Sequence, residues 1–185
     1  MKNKTKIIIG SMISIIVLLG MVYTGIHYRS DYVAQVIHDD LQKLTLALNQ
    51  INKDCGILSI DHFKIPINFL NVIKFTGSEV GALNLIHPEK WKGPYLRDNP
   101  TINGIEYQLV LVKDGYFILP GDDVKLPNGK IMGKDIIIAK NMEIIPLIEG
   151  KETFCYKHWC TVSRLEIGSN ILHDLTEMSD NLLAE

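Results

Sequence analysis

The sequence predicts an α+β protein in which a long N-terminal helix packs on a small antiparallel β-sheet, with a C-terminal disulfide-loop region and a last helix. Three observations lead to that class. Residues 7–26 form an uncharged apolar run, residues 33–51 carry an apolar stripe at helical spacing, and two β-rich runs meet at the "KDG" of residues 113–115.

The apolar run comes first. "MKNKTK" sets three lysines ahead of 20 residues without a charge, which as a helix would reach about 30 Å, the thickness of a bilayer core. His27, Arg29 and Asp31 follow, so the positive excess lies on the N-terminal flank and assigns that flank to the cytoplasm. The expected organisation is a cytoplasmic tail over 1–6, a transmembrane helix over 7–28 and an exported globular domain over 29–185. The leading competing reading is a cleaved secretory signal, with a buried core helix as the third. The run exceeds the about 7–15 apolar residues of such signals, and Gly20 and Gly25 have Leu18 and Tyr23, not small residues, two positions earlier. The anchor and the cleaved signal both export the domain.

From Asp31 the pattern becomes amphipathic. Val33, Ile37, Leu41, Leu44, Leu48 and Ile51 recur at steps of three and four, with Gln35, Asp39, Lys43 and Asn52 between them. This predicts a helix over 29–55, stopped by Gly56 and continuous with the membrane run because no proline separates them.

The stripe needs a sheet to cover it. "IEYQLVLV" and "GYFILP" are rich in β-branched and aromatic residues and predict a hairpin turning at Asp114-Gly115. "KDIIIAKNMEIIPLIEG" predicts one or two more strands, over 136–139 and 143–147, around a turn at Lys140-Asn141. Residues 57–85 mix both periods, with Pro66 interrupting them. Ile171, Leu172, Leu175, Met178 and Leu182 predict a last helix capped by Ser169.

The segment "EVGALNLIHPEKWKGPYLRDNP" followed by "NGIEYQLVLVKDGYFILPGDD", placed after a hydrophobic and then an amphipathic helix, resembles the major pseudopilins of type II secretion systems and their type IV pilin relatives. Gly93, Pro94 and Tyr95 match the family's aromatic-x-Gly-Pro-Tyr element, Asn103 with Tyr107 matches its next strand loosely, and Gly121-Asp122 the strand end that precedes an acidic loop. The resemblance covers about residues 7–136, with 86–139 as the pilin-like sheet region and 140–185 as a C-terminal extension. It implies a pilin-like fold and a non-enzymatic structural subunit of a type II secretion or type IV pilus-like envelope assembly. It further implies a single-pass inner (cytoplasmic) membrane location with a periplasmic or extracellular domain, and other pilin-like or secretion-apparatus subunits as partners. The pattern departs from the family at the processing site. Gly10 is followed by "SMISII" with no glutamate and preceded by the apolar "KIII", so a standard prepilin peptidase site is lacking.

Three sets of residues are singled out. Trp91, Gly93, Pro94 and Tyr95 form a structural clasp, because glycine and proline make a turn that folds the two aromatics onto the helix and the sheet; the competing reading is an aromatic ligand platform. Cys155 and Cys160 in "CYKHWC" form a disulfide loop worth roughly 2 kcal/mol by chain entropy, as many type IV pilins tie down their C-terminal region. A zinc site with His158 is the competing reading and lacks a fourth ligand. Cys55 is the odd thiol, either buried and free or paired with a second chain. In "GDDVKLPNGKIMGKD", Asp122, Asp123, Asn128 and Asp135 supply hard oxygens for calcium, which major pseudopilins bind in the corresponding loop; the EF-hand spacing is not met, and an ordinary solvated loop is the alternative.

Other chemistry has no support. The net charge of -2 and scattered lysines argue against nucleic acid. No G-x-S-x-G, H-E-x-x-H or P-loop pattern occurs, and the expectation is no enzyme activity. The partners expected are membrane lipid, through residues 7–26, and neighbouring subunits, for which Gly10, Ser11, Ser14 and Gly20 allow close helix approach. The alternative function is a monomeric, membrane-tethered module that binds a ligand or protein outside the cell membrane.

Overall fold

A computed structural model describes residues 2–74, 79–80, 82–150 and 153–167, with side chains from residue 14 onward except at 26, 27, 79 and 80. The helix expected over 171–182 lies outside the described residues.

The first element is one helix, α1 (Lys2–Cys55), of 54 residues. Nothing in its sequence breaks it, since it contains no proline and its glycines are isolated. It ends at Gly56, whose φ of 67° is readily adopted only without a side chain. The Gly56 amide donates to Asn52 O at 2.9 Å and the Asn52 side chain accepts from the Ile57 amide at 2.9 Å. Those bonds satisfy groups at the helix end and start the first strand.

The two halves of α1 have different surroundings. Ile37, Leu41, Leu44, Leu48 and Ile51 are buried, joined by Ala34 and Ala47, while Val33 is partly buried. Between Ile15 and Tyr23 eight apolar side chains stand 49–65% exposed. Among the described residues no helix is long and apolar enough to cross a membrane; the side chains of 7–13, 26 and 27, which belong to the expected span, lie outside them.

Strands follow in chain order: β1 (Ile57–Ile60), β2 (Lys64–Pro66), β3 (Glu79–Val80), β4 (Leu83–Leu85), β5 (Thr101–Ile102), β6 (Ile105–Val112) and β7 (Gly115–Pro120). After the short helix α2 (Ile145–Glu149) come β8 (Cys155–Tyr156), β9 (Trp159–Cys160) and β10 (Ser163–Leu165). The main sheet runs β10-β7-β6-β2, with β5 pairing the start of β6, and every pair is antiparallel. A second sheet, β1-β4-β3, follows the end of α1, and β8-β9 is a separate hairpin. The expected β6–β7 hairpin is present. Val112 pairs with Gly115, so its loop is Lys113-Asp114, and Gly115 takes a φ of 122° as the strand begins.

Helix α1 lies against β7, β10 and the β8–β9 hairpin. Polar contacts fix its rotation: Tyr107 on β6 donates its hydroxyl to Asp40 at 3.2 Å, and Thr45 meets the Ser163 hydroxyl at 2.9 Å. Tyr107 is fully buried, so its hydroxyl needs that acceptor.

Two strand expectations are corrected. Over 136–139 only Ile136 makes a bridge, to Met132. Ile136 and Ile138 are buried and Ile137 is 65% exposed, so the alternation of a strand exists without a partner ladder. The segment expected as a strand over 143–147 instead turns into α2. Pro146 sits in the first turn of that helix, where its missing amide costs nothing, and Asp114 Oδ2 accepts from the Ile144 and Ile145 amides at 2.7 and 2.6 Å. A carboxylate in the β6–β7 loop thus caps a helix 30 residues later in the chain.

The packing predicts a contrast along α1. Leu48→Ala should lower the unfolding free energy in urea by about 2–5 kcal/mol, whereas Leu46→Ala, at a side chain 71% exposed, should change it by less than about 0.5 kcal/mol. Equal losses would show that α1 does not pack through this face.

Candidate functional site

The clasp is built where α1 ends. A 3-10 turn at Pro88–Lys90 delivers Trp91, whose indole N–H donates to Val72 O at 3.0 Å and whose ring meets that of Tyr95 edge-on at 4.8 Å. The Gly93–Pro94 peptide bond is cis. The Tyr95 amide donates to Leu70 O at 2.8 Å, and its hydroxyl donates to Asp54 on α1 at 3.2 Å. Gly93 is the tight point. A Cβ there would stand 2.2 Å from Val72 O and 2.3 Å from Trp91 Nε1, the two atoms of the indole hydrogen bond.

Asp54 gathers three donors: Gln50 at 3.0 Å, Lys92 Nζ at 2.8 Å and the Tyr95 hydroxyl. The Gln50 hydrogen bond first, and then that of Lys92, hold its carboxyl below the ordinary 3.8 against the opposing effect of burial. Burial pushes the Tyr95 phenol up, and burial likewise raises the thiol of Cys55. Cys55 is free, fully buried and 4.0 Å from the Tyr95 hydroxyl. A protonated, water-excluded thiol is a poor nucleophile.

The acidic loop closes on itself. Asp123 has a φ of 68°, and backbone bonds run from Asp123 N to Met132 O at 2.8 Å, from Met132 N to Val124 O at 3.0 Å and from Leu126 N to Lys130 O at 2.8 Å. Val124, Leu126 and Met132 are buried beneath it. Each candidate calcium ligand has its own protein partner. Asp122 pairs with Lys64 at 2.6 Å and Asp123 with Lys134 at 2.8 Å. Asn128 donates to Thr153 O at 2.8 Å and accepts from the Lys130 amide, and Asp135 accepts from the Ile131 amide at 2.8 Å. Among the described residues no group of three or more His, Cys, Asp or Glu is placed to hold a metal. In this arrangement two of the carboxylates face ammonium groups and the other two side chains terminate backbone turns.

Cys155 and Cys160 are bonded, across the cross-strand pair of the β8–β9 hairpin. The hairpin lies against α1 rather than on the sheet. Trp159 packs on His38 with ring centroids 4.8 Å apart, and Lys157 at the tip, with a φ of 56°, pairs with Asp31 at 2.6 Å. Between them is a cleft of ≈ 230 Å³ lined by Tyr28, Asp31, Tyr32, Gln35, Lys157, His158 and Trp159. Sequence reasoning did not single out this cleft. One half was legible, since Tyr28, Asp31, Tyr32 and Gln35 fall at steps of three and four on one face of a helix. The other half comes from a hairpin more than 120 residues away, which no local pattern announces. The same holds for Asp54 and Lys92, which complete the clasp from separate elements.

Comparison with protein-family models, with curated proteins and with solved structures finds no match in any of the three.

The clasp generates two predictions. Because the native Asp54 carboxyl titrates below its unfolded value, its contribution is complete above the ordinary carboxylate range and disappears as pH falls through the native value. Asp54→Asn should therefore lower stability at pH 7 and flatten the loss below about pH 4; an unchanged acid limb in pH-dependent thermal melts would contradict the arrangement. Gly93→Ala should cost about 1–3 kcal/mol and shift Trp91 emission as its bond to Val72 breaks. A variant with native emission and melting temperature would mean that the turn has room which the geometry denies.

Proposed function

We propose that this protein is a non-enzymatic, membrane-anchored structural subunit, similar to a pilin or pseudopilin of a type II secretion or type IV pilus-like envelope assembly. The observation that carries the reading is the two-part surface of α1. One face of its C-terminal half is buried by the domain, while Ile15, Ile16, Val17, Leu18, Leu19, Met21, Val22 and Tyr23, interrupted only by Gly20, stand exposed and so cover every face of the helix. Burying an apolar side chain of this size is worth about 1.5–3 kcal/mol, and eight together demand an apolar surrounding. Lipid and the equivalent helices of neighbouring subunits supply it. The lysines before the run orient the N-terminus to the cytoplasm and the domain to the periplasmic or extracellular side.

The rest of the molecule suits a subunit more than a catalyst. Its ionisable clusters are spent on holding elements together: Asp54 on Lys92 and Tyr95, Asp114 on α2, Asp40 on Tyr107. The resemblance of "WKGPYL" and the β6–β7 hairpin to pseudopilins adds the assembly class. No calcium role enters the reading, given the separate partners of Asp122, Asp123, Asn128 and Asp135.

A photo-crosslinking residue in place of Ile15 or Leu19, introduced in native membranes, tests this. A structural subunit should give protein adducts at both positions, with a ladder of multiples of the chain or with other anchored subunits. Adducts to lipid alone, on a chain that stays monomeric, would remove the subunit reading and leave the tethered binding module.

A further inference from the structure

We propose that the cleft between α1 and the disulfide hairpin is a seat for a zwitterionic phospholipid headgroup carrying a phosphate and an ammonium. The inference rests on the anchoring reading of α1 and names the lipid chemistry that the anchored domain meets first.

Position is the first argument. Tyr28 lies two residues and Gln35 nine residues beyond the end of the 7–26 run, which along a helix is roughly 3 to 14 Å above the hydrocarbon edge. The headgroup layer occupies about 5–8 Å on each side of a bilayer. The lower half of the cleft therefore sits within that layer.

The lining has the chemistry of the layer. Tyr28 is 79% and Tyr32 63% exposed, on the same face of α1, with Trp159 opposite them. Such rings, apolar in body and polar at the tip, are enriched where hydrocarbon gives way to water. No core explains their exposure.

The charges choose among headgroups. Lys157 and Asp31 bring one positive and one negative group to the cleft, paired at 2.6 Å and half exposed. A lone phosphate would meet a lysine already neutralised by its neighbour. A zwitterion can exchange partners with the pair, its phosphate on Lys157 Nζ and its ammonium on the Asp31 carboxylate and the faces of Tyr28 and Tyr32. Size agrees with this. A volume of ≈ 230 Å³ is below the about 300 Å³ at which pockets for drug-sized ligands and cofactors begin, but suits a small polar headgroup.

The fold also holds the site rigid. The disulfide closes the hairpin and Trp159 packs on His38, so the tip bearing Lys157 and His158 is fixed against α1 rather than free to swing.

The test uses the full chain in two arms. In the first, the chain is reconstituted in phosphatidylethanolamine vesicles and washed at alkaline pH before flotation. In the second, short-chain phosphatidylethanolamine or phosphatidylglycerol is titrated into the chain in detergent, and Trp159 emission is read as the difference from Trp159→Phe. The expected result is a floating chain and a saturable Trp159 response to the ethanolamine lipid that exceeds the response to the glycerol lipid. Tyr28→Ala and Lys157→Gln, both at exposed positions, should each weaken that response about two- to fivefold, the size of a surface cation–π contact. A floating chain with no saturable response, or with equal or stronger binding of phosphatidylglycerol, overturns the headgroup site and leaves the anchor intact. A chain that the wash strips from the vesicles overturns the anchor, and the headgroup site with it.

Discussion

Everything in the globular part of this protein depends on the burial of one face of α1 from Ile37 to Cys55. The strands it meets are short, the longest being β6, and two- or three-residue strands such as β5, β9 and β10 are not stable alone. The helix supplies the apolar surface that makes them a domain. Its stripe packs into the same cluster as Leu109, Val110, Phe117, Ile118 and Leu165. Hydrogen bonds from Tyr107 to Asp40 and between Thr45 and Ser163 then set the helix in one rotation. Without that rotation the exposed and buried residues of α1 would exchange places, since the apolar face is only one stripe wide.

Two devices lock the packed half of the helix at its ends. At Asp54 the clasp gathers Gln50, Lys92 and Tyr95 on one carboxylate. Near Asp31 the disulfide hairpin reaches back from residue 157 to grip the helix where it leaves the domain. The locks are about 35 Å apart along the axis at 1.5 Å per residue. They differ in kind for a physical reason. The clasp lies over a buried thiol and aromatic rings, where partly desolvated hydrogen bonds are effective. The hairpin stands on the exposed side of the helix, where an ion pair alone is worth little and a covalent loop supplies the order.

In the acidic loop, residues with hard oxygens close turns of the chain. Its apolar residues, Val124, Leu126 and Met132, are buried in the core, which forces the chain between them into tight turns. The turns need acceptors and left-handed residues, and Asp135, Asn128, Gly129 and Gly133 provide them. Asp122 pairs with Lys64 and Asp123 with Lys134.

The sequence by itself determined the elements with a repeating signal. The stripe of α1, its stop at Gly56, the β6–β7 hairpin and the Cys155–Cys160 loop were all legible, because each is encoded by a period or spacing within one local segment. Only the tertiary structure decided the rest. Strands β1 and β4 are three or four residues long and owe their existence to each other across 25 residues of chain. The segment around Pro146 reads as a strand until Asp114, from a different element, caps it as a helix. The clasp and the cleft likewise join residues that are neighbours only after packing. A periodic pattern carries its own evidence in the residues between its repeats, whereas a contact between distant segments leaves no mark in either until the burial of apolar surface brings them together.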